Sequence, residues 1–396
     1  VRGHKFLFLL FALTGCGGSN DTTDPRAIEA LNQACISEQI SGEFVVKTKA
    51  GKFQKITAAS KKHLFQRIKK IGIKAQSYEP NFKITNRPIA KPLDAETESS
   101  LSEGPKLLNA DFMWDNGFKG SGAVTALIDS GYDFSHSLLQ GSVFENEDEL
   151  GNDEDQNGFK NDRFGWDTFN NRPLAGDLGR HGTQVGSVIA ARHTDTLRIS
   201  MAPESKIVPI AALQADESGD TDASGDSNSI TNAIDYAISR KVDFINASWG
   251  GDTCSTFIKE RIKLATDLGI IFVTSAGNEA TDIDQTVAFP ASLSLPSILT
   301  VGGVNLDGSR EENSNFGQIV DFTAMGKDVV VASPHNQLGS VTGTSAAAPF
   351  ITGGLALLKN AFPEASSEAL IRALEESKND QKIPDLKVAF SILKEL

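Results

Sequence analysis

Residues 123–131 read Ala123-Val124-Thr125-Ala126-Leu127-Ile128-Asp129-Ser130-Gly131. The stretch before Asp129 is a near-continuous apolar run, short enough for a strand and without the polar alternation of a half-exposed one. Such a run fits a strand buried on both faces, as in a parallel sheet. Further runs of the same kind are Lys206 to Ile210, Asp243 to Ala247, Ile270 to Thr274 and Ile298 to Val301. Helical stretches lie between them, at Ser229 to Arg240 and Phe257 to Leu268. The alternation predicts an α/β fold of three layers, a mainly parallel sheet covered by helices on both faces. Active residues of such sheets gather at the carboxyl ends of the strands.

The strand ends do carry chemistry. Asp129-Ser130-Gly131 closes the first strand, with Asp133 and His136 just beyond. His181-Gly182-Thr183 opens an apolar helix. Ser275-Ala276-Gly277-Asn278 follows a later strand, and Gly343-Thr344-Ser345 leads into a small, apolar helix. A serine hydroxyl is a poor nucleophile until a base removes its proton. A carboxylate behind an imidazole fixes the tautomer and stabilises the imidazolium.

These segments, in this order and spacing, resemble the subtilisin-like serine peptidases over residues 105–396. The resemblance implies roles. Ser345 would be the nucleophile, His181 the general base and acid, and Asp129 its orienting carboxylate. Asn278 and the Ser345 backbone N–H would hold the oxyanion. Ser248, Trp249 and Gly250 would pair with substrate main chain on one side, and Gly225 within Ser224-Gly225-Asp226 on the other. Ala276 and Gly277 would wall the primary pocket. Ala288 would form its base, in a Val287-Ala288-Phe289-Pro290 run whose Phe289–Pro290 bond is expected to be cis. A small, uncharged base implies cleavage after large apolar or aromatic residues. Two positions depart from the family pattern: Ala346, where Met is usual, and Met325-Gly326, where Pro-Gly is common. Both are read as packing changes. Catalysis of this kind needs no cofactor or metal.

Residues 153–162 suggest a structural calcium ion. Asp153, Asp155 and Asn157 stand at the first, third and fifth positions of an EF-hand-like half loop, with Gly158 at the sixth. Phe159 would offer its carbonyl, and Asp162 would close the site. Phe164 stands where a full EF-hand has Glu. The alternative is a solvated acidic loop.

Outward from this core the chain divides. At 396 residues it is long enough for two or three units, and 39% hydrophobic residues supply a core that excludes wholesale disorder. Arg2, Lys5, the apolar run Phe6 to Ala12 and Leu13-Thr14-Gly15-Cys16 form a signal segment (1–15) resembling a bacterial lipobox. That resemblance implies lipidation at Cys16 and a lipid-anchored place in the cell envelope, the outer membrane favoured, with ordinary secretion as the alternative. Residues 16–40 read as a tether, and 41–86 as a small α/β unit with a helix over Ala58 to Ile71. Residues 87–104 read as a linker to the domain at 105–396. The small unit stands where the family carries a pro-domain, which the linker would lead into the cleft.

Charge supports the division. Residues 41–93 hold 13 Lys and Arg against 2 acids, and residues 94–396 hold 22 against 45. Opposite potentials give the two parts a reason to associate, although two separately solvated surfaces would look the same. The net charge of -13 argues against nucleic acid as a partner. Cys35 and Cys254 either pair or stay free. A polypeptide substrate, the chain's own pro-domain and a monomeric state are expected. An active endopeptidase and a silent peptide-binding scaffold are the two functional classes, and the intact Asp129, His181, Asn278 and Ser345 favour the first.

Overall fold

The computed structural model describes residues 39–86, 89–92, 103–147, 153, 155–177, 179–215, 223–251 and 255–396. The expected signal segment, most of the tether, and Cys16, Cys35 and Cys254 lie outside them. Residues 35–396 form one compact unit.

The chain first forms β1 (Gln39–Thr48), β2 (Phe53–Thr57), α1 (Lys61–Lys70), β3 (Ala75–Thr85) and β4 (Ile89–Pro92). The expected helix starts later than Ala58 because Ser60 caps it, its hydroxyl accepting the His63 N–H at 3.2 Å. Leu64 and Ile68, one turn apart, pack on Val46 and Ile56 of the sheet. Gly72, at φ +75°, ends the turn beyond the helix. The other face of this sheet turns toward the rest of the chain, where Val45 and Phe53 meet Phe257.

Next come α2 (Glu103–Leu107), α3 (Ala110–Asp115), β5 (Val124–Asp129), β6 (Trp166–Asp167), β7 (Arg172–Pro173), α4 (His181–Ala190), β8 (Lys206–Ala211), β9 (Leu213–Ala215) and β10 (Ala223–Asp226). They are followed by α5 (Ser227–Ser239), β11 (Phe244–Ala247), α6 (Thr256–Asp267), β12 (Ile271–Ser275), β13 (Ile298–Val304), β14 (Phe322–Met325), β15 (Val329–Ser333) and β16 (Gln337–Thr342). The chain closes with α7 (Thr344–Ala361), α8 (Ser367–Ser377) and α9 (Leu386–Glu395).

The central sheet runs β14-β13-β12-β11-β5-β8-β6-β7, parallel except for the β6–β7 edge. Alternate side chains serve opposite layers. Ala126, Ile128 and Phe272 join Ile230, Ile234 and Ile262 of α5 and α6. Leu127 points the other way, to Val185 and Ile189 of α4, and Val273 and Val301 pack with Phe350 and Leu355 of α7. The expected three layers are thus present, and Asp129 ends β5 between β11 and β8. There the strand order reverses direction, the usual crevice for an active site.

Two smaller sheets tie the N-terminal unit to this body. One is β2-β1-β3-β10-β9, and the other is β15-β16-β4. Ile89–Pro92, expected within a linker, is therefore a strand paired antiparallel along Gly339–Thr342.

Candidate active site

Asp129 and His181 come from a strand end and a helix start. The His181 Nδ1 lies 2.9 Å from both Asp129 carboxylate oxygens, and both side chains are fully buried. The Ser130 N–H donates to the same carboxylate at 2.7 Å. The loop and the helix are then fastened by a residue that the sequence reading missed. Asp177 accepts from Ser130 Oγ at 2.7 Å and from the Thr183 N–H at 2.8 Å. It also accepts from Thr183 Oγ1. Arg180, the residue before α4, has φ +69° and supplies no side-chain cap, so Asp177 does the capping from further upstream. An aspartate four residues before His181 was the only signal, and it stands outside the usual cap position. Gly182 permits the approach, since a Cβ there would lie 2.1 Å from the Gly131 carbonyl oxygen.

Ser345 stands in the first turn of α7, after Gly343 at φ +139°. Asn278 is held beside it. Its Oδ1 accepts from the Thr344 N–H at 2.8 Å and from Thr344 Oγ1 at 3.0 Å. A Cβ on Gly343 would come within 3.1 Å of the Asn278 amide nitrogen. Thr344 also accepts the Gly277 N–H at 3.1 Å, so one threonine orients both segments. Ser345 Oγ and His181 Nε2 are buried with no hydrogen-bond partner among the described residues. These are the two polar atoms that acyl transfer requires.

The expected substrate-pairing segments flank the chain's own β3. Ser224, Gly225 and Asp226 pair antiparallel with Thr85, Ile84 and Lys83. On the other edge Thr85 and Gly250 bond reciprocally through their backbones. Asn86 donates its N–H to the Ala223 carbonyl at 3.1 Å and accepts the Ala223 N–H at 2.7 Å. Ser248 turns inward, its hydroxyl donating to the Ser345 carbonyl at 3.0 Å, and Trp249 is buried. Ala276 and Ala288 share an apolar cluster with Ile283, Ala291 and Val320, and Gly277 adjoins Asn315. The Phe289–Pro290 bond is cis. Ala346, where a larger side chain was expected, is buried among α7 and its neighbours.

The covering unit grips two helix N-termini, which the sequence reading also missed. Glu79 accepts from the Thr256 and Phe257 N–H groups at 3.0 and 3.4 Å and from the hydroxyls of Ser255 and Thr256 at the start of α6. Two residues on, on the same face of β3, Asn81 accepts from Ser227 Oγ at 2.9 Å and the Asn228 N–H at 3.3 Å at the start of α5. Burial pushes the Glu79 carboxyl up to about 7, against the opposing pull of these donors. Lys47 pairs with Glu260, and Lys55 with Asp226 at 2.7 Å.

The acidic loop gathers several of its oxygen side chains. Asp155 and Asp162 converge, bridged by the Asn146 and Asn157 amides. Asp153 instead accepts the Gly158 N–H at 3.1 Å, and Phe159 packs against Trp166 and Tyr236. Arg240 stands 2.8 Å from Asp155 and 3.7 Å from Asp162. Among the described residues no three acidic, His or Cys side chains form a metal cluster. The Arg240 guanidinium faces the same two carboxylates.

Comparison with known proteins agrees with this geometry. The subtilase family model matches residues 120–390. The chain is 32% identical over 281 residues to the major intracellular serine protease of Bacillus subtilis (strain 168), across 70% of this chain and 80% of that protein. It is 31% identical over 268 residues to the subtilisin of Bacillus pumilus, across 67% and 86%. It is 30% identical over 264 residues to the intracellular serine protease of Paenibacillus polymyxa, across 66% and 73%. With a buried Asp–His pair, a serine at a helix start and this match over most of its length, the chain belongs to the subtilase family and is a serine-type endopeptidase.

Proposed function

We propose that Ser345, His181 and Asp129 form the catalytic triad. The observation that carries this reading is the Asp129 carboxylate set squarely on His181 Nδ1, with Ser345 in the first turn of α7. His181 Nε2 takes the Ser345 Oγ proton as Oγ adds to the scissile carbonyl carbon. The negative oxygen so formed accepts from Asn278 Nδ2 and the Ser345 N–H, and the positive end of α7 favours it. Breaking the C–N bond passes the His181 proton to the departing amine. Water then attacks the acyl ester by the same route, and Ser345 is regenerated. A fluorophosphonate probe tests the assignment. It should label the mature enzyme and not Ser345→Ala.

A preference for large apolar or aromatic residues before the cut is supported by the apolar setting of Ala276 and Ala288. A peptide-library profile dominated by Lys or Arg there would overturn it.

The N-terminal unit (41–86) is proposed as a pro-domain that blocks its own enzyme. Support comes from β3 lying in the groove between Gly225 and Gly250, and from β4 lying along β16. Asn86 is bonded to Ala223 and Ile89 begins β4; the maturation cut is proposed between them, directed by placement in the groove rather than by the side-chain preference proposed for other substrates. Lipidation at Cys16 and an envelope location, outer membrane favoured, rest on the Leu13-Thr14-Gly15-Cys16 pattern. Loss of fatty-acid labelling in Cys16→Ser tests them. A monomer is proposed, to be checked by light scattering. A structural calcium ion is proposed in exchange with Arg240. Asp153, Asp155, Asn157, Asp162 and the Phe159 carbonyl would hold it, and it would supply charge balance to the loop and no catalytic step.

A further inference from the structure

The pro-domain carries exposed basic side chains on the helix that covers the outer face of its sheet. Of the 13 Lys and Arg in residues 41–93, Lys47 and Lys55 form the ion pairs described above. The sheet of the unit turns one face to the catalytic domain, through Val45, Phe53 and Glu79. The other face is covered by α1, whose Leu64 and Ile68 point inward. The outer side of α1 therefore points away from the cleft. It holds Lys62, Lys69 and Lys70, with Lys61 at the first turn on the Leu64 side, all four exposed and without an ion pair among the described residues. Lys49 and Lys74 extend the patch, held together by the Lys49 N–H donating to the Lys74 carbonyl at 2.7 Å. The helix has no acidic residue. Two large apolar side chains stand in the same region, Phe65 at 52% and Ile71 at 54% exposed.

We propose that this outer face of the pro-domain docks on an anionic lipid bilayer. Clustered ammonium groups on long stems suit a lipid headgroup layer, and adjacent Phe and Ile side chains can enter the acyl boundary. The 38 residues before β1 include the apolar run Phe6 to Ala12 and Cys16, so the patch and the expected anchor belong to the same end of the chain. The catalytic part, with 45 acids against 22 Lys and Arg over 94–396, is repelled by such a surface. The precursor is thus held at the membrane, and loss of the pro-domain releases the acidic enzyme from it.

The test uses the unlipidated chain from Gly17 onward carrying Ser345→Ala, so that neither an acyl group nor a cut intervenes. It should co-sediment with vesicles containing phosphatidylglycerol, not with neutral phosphatidylcholine vesicles, and high salt should release it. Each lysine near the surface strengthens binding about fivefold, so Lys61→Gln, Lys62→Gln, Lys69→Gln and Lys70→Gln together should weaken it at least tenfold. Phe65→Ser with Ile71→Ser should weaken it without altering charge. Should the fourfold variant fail to fold, Lys49→Gln with Lys74→Gln, outside the helix, gives the same reading. Equal binding to neutral vesicles overturns the proposal, as does undiminished binding by the folded lysine variants. Tighter binding to a soluble acidic polypeptide than to the anionic vesicles also overturns it. None of these outcomes depends on whether Ser345 is the nucleophile or Cys16 the lipidation site.

Discussion

Thr85 and Gly250 exchange both of their backbone hydrogen bonds, at 3.2 and 3.0 Å. Gly250 belongs to the segment expected to hold a substrate's main chain, and Thr85 ends β3, the last strand of the N-terminal unit. β3 joins this segment by strand addition from within the chain. His181 and Ser345 are almost wholly shielded from water.

The first prediction follows from that shielding. The Ser345→Ala chain should remain one uncut polypeptide, and N-terminal sequencing of the mature wild type should begin at Arg87, Pro88 or Ile89. A mature terminus beyond Leu107 would place the cut outside the groove and overturn the threading.

Asn278 should act on the transition state more than on binding. Asn278→Ala should lower kcat on the order of 100- to 1000-fold with little change in KM, a magnitude measured for the corresponding donor in subtilisin itself. Equal effects on both parameters would mark it as a substrate-binding group instead.

Asp177 is predicted to be a positioning residue. Asp177→Ala removes the fastening between the Ser130 loop and the start of α4. The expected cost is roughly ten- to a hundredfold in kcat, the scale of a small misalignment. KM should change little, and fluorophosphonate labelling of Ser345 should slow by a similar factor. A lower thermal midpoint with unchanged kcat and labelling rate in the folded variant would show a purely structural role.

Glu79 predicts a pH dependence for pro-domain retention. Its carboxyl is pushed up to about 7 when buried against α6, from 4.5 as the ordinary value. The bound form thus holds the proton more tightly than the released one. The contact is at full strength below pH about 4.5 and weakens as pH rises through about 7. Inhibition should weaken by at least about tenfold over that span, and Glu79→Gln should flatten the change. Inhibition that strengthens with rising pH would overturn the sign.

Arg240 predicts the behaviour of the acidic loop. Arg240→Gln leaves Asp162, fully buried, and Asp155 without their guanidinium. Unfolding stability should fall by about 3–5 kcal/mol in chelator, and calcium should restore much of it. Equal midpoints with and without calcium in that variant would remove the ion from the account.

Sequence alone determined the layered fold and pointed to Asp129 and His181, which the fold brings together. Both are written locally: a double-sided buried strand is near-continuously apolar, as in Val124 to Ile128, and nucleophile, base and orienting acid come from a short list of residue types. The tertiary structure alone decided what surrounds them. Asp177, Thr344, Glu79 and Asn81 act through partners far along the chain, and no local period or spacing announces a hydrogen bond to a distant helix end. The same holds for Arg240, which sits on the acidic loop from 85 positions away from Asp155. It holds also for the basic unit, whose charge suggested attraction to the catalytic acids. Its sheet meets them through Lys47 and Lys55 and a buried glutamate, because which face of a sheet is turned inward depends on packing, and a charge count contains no direction.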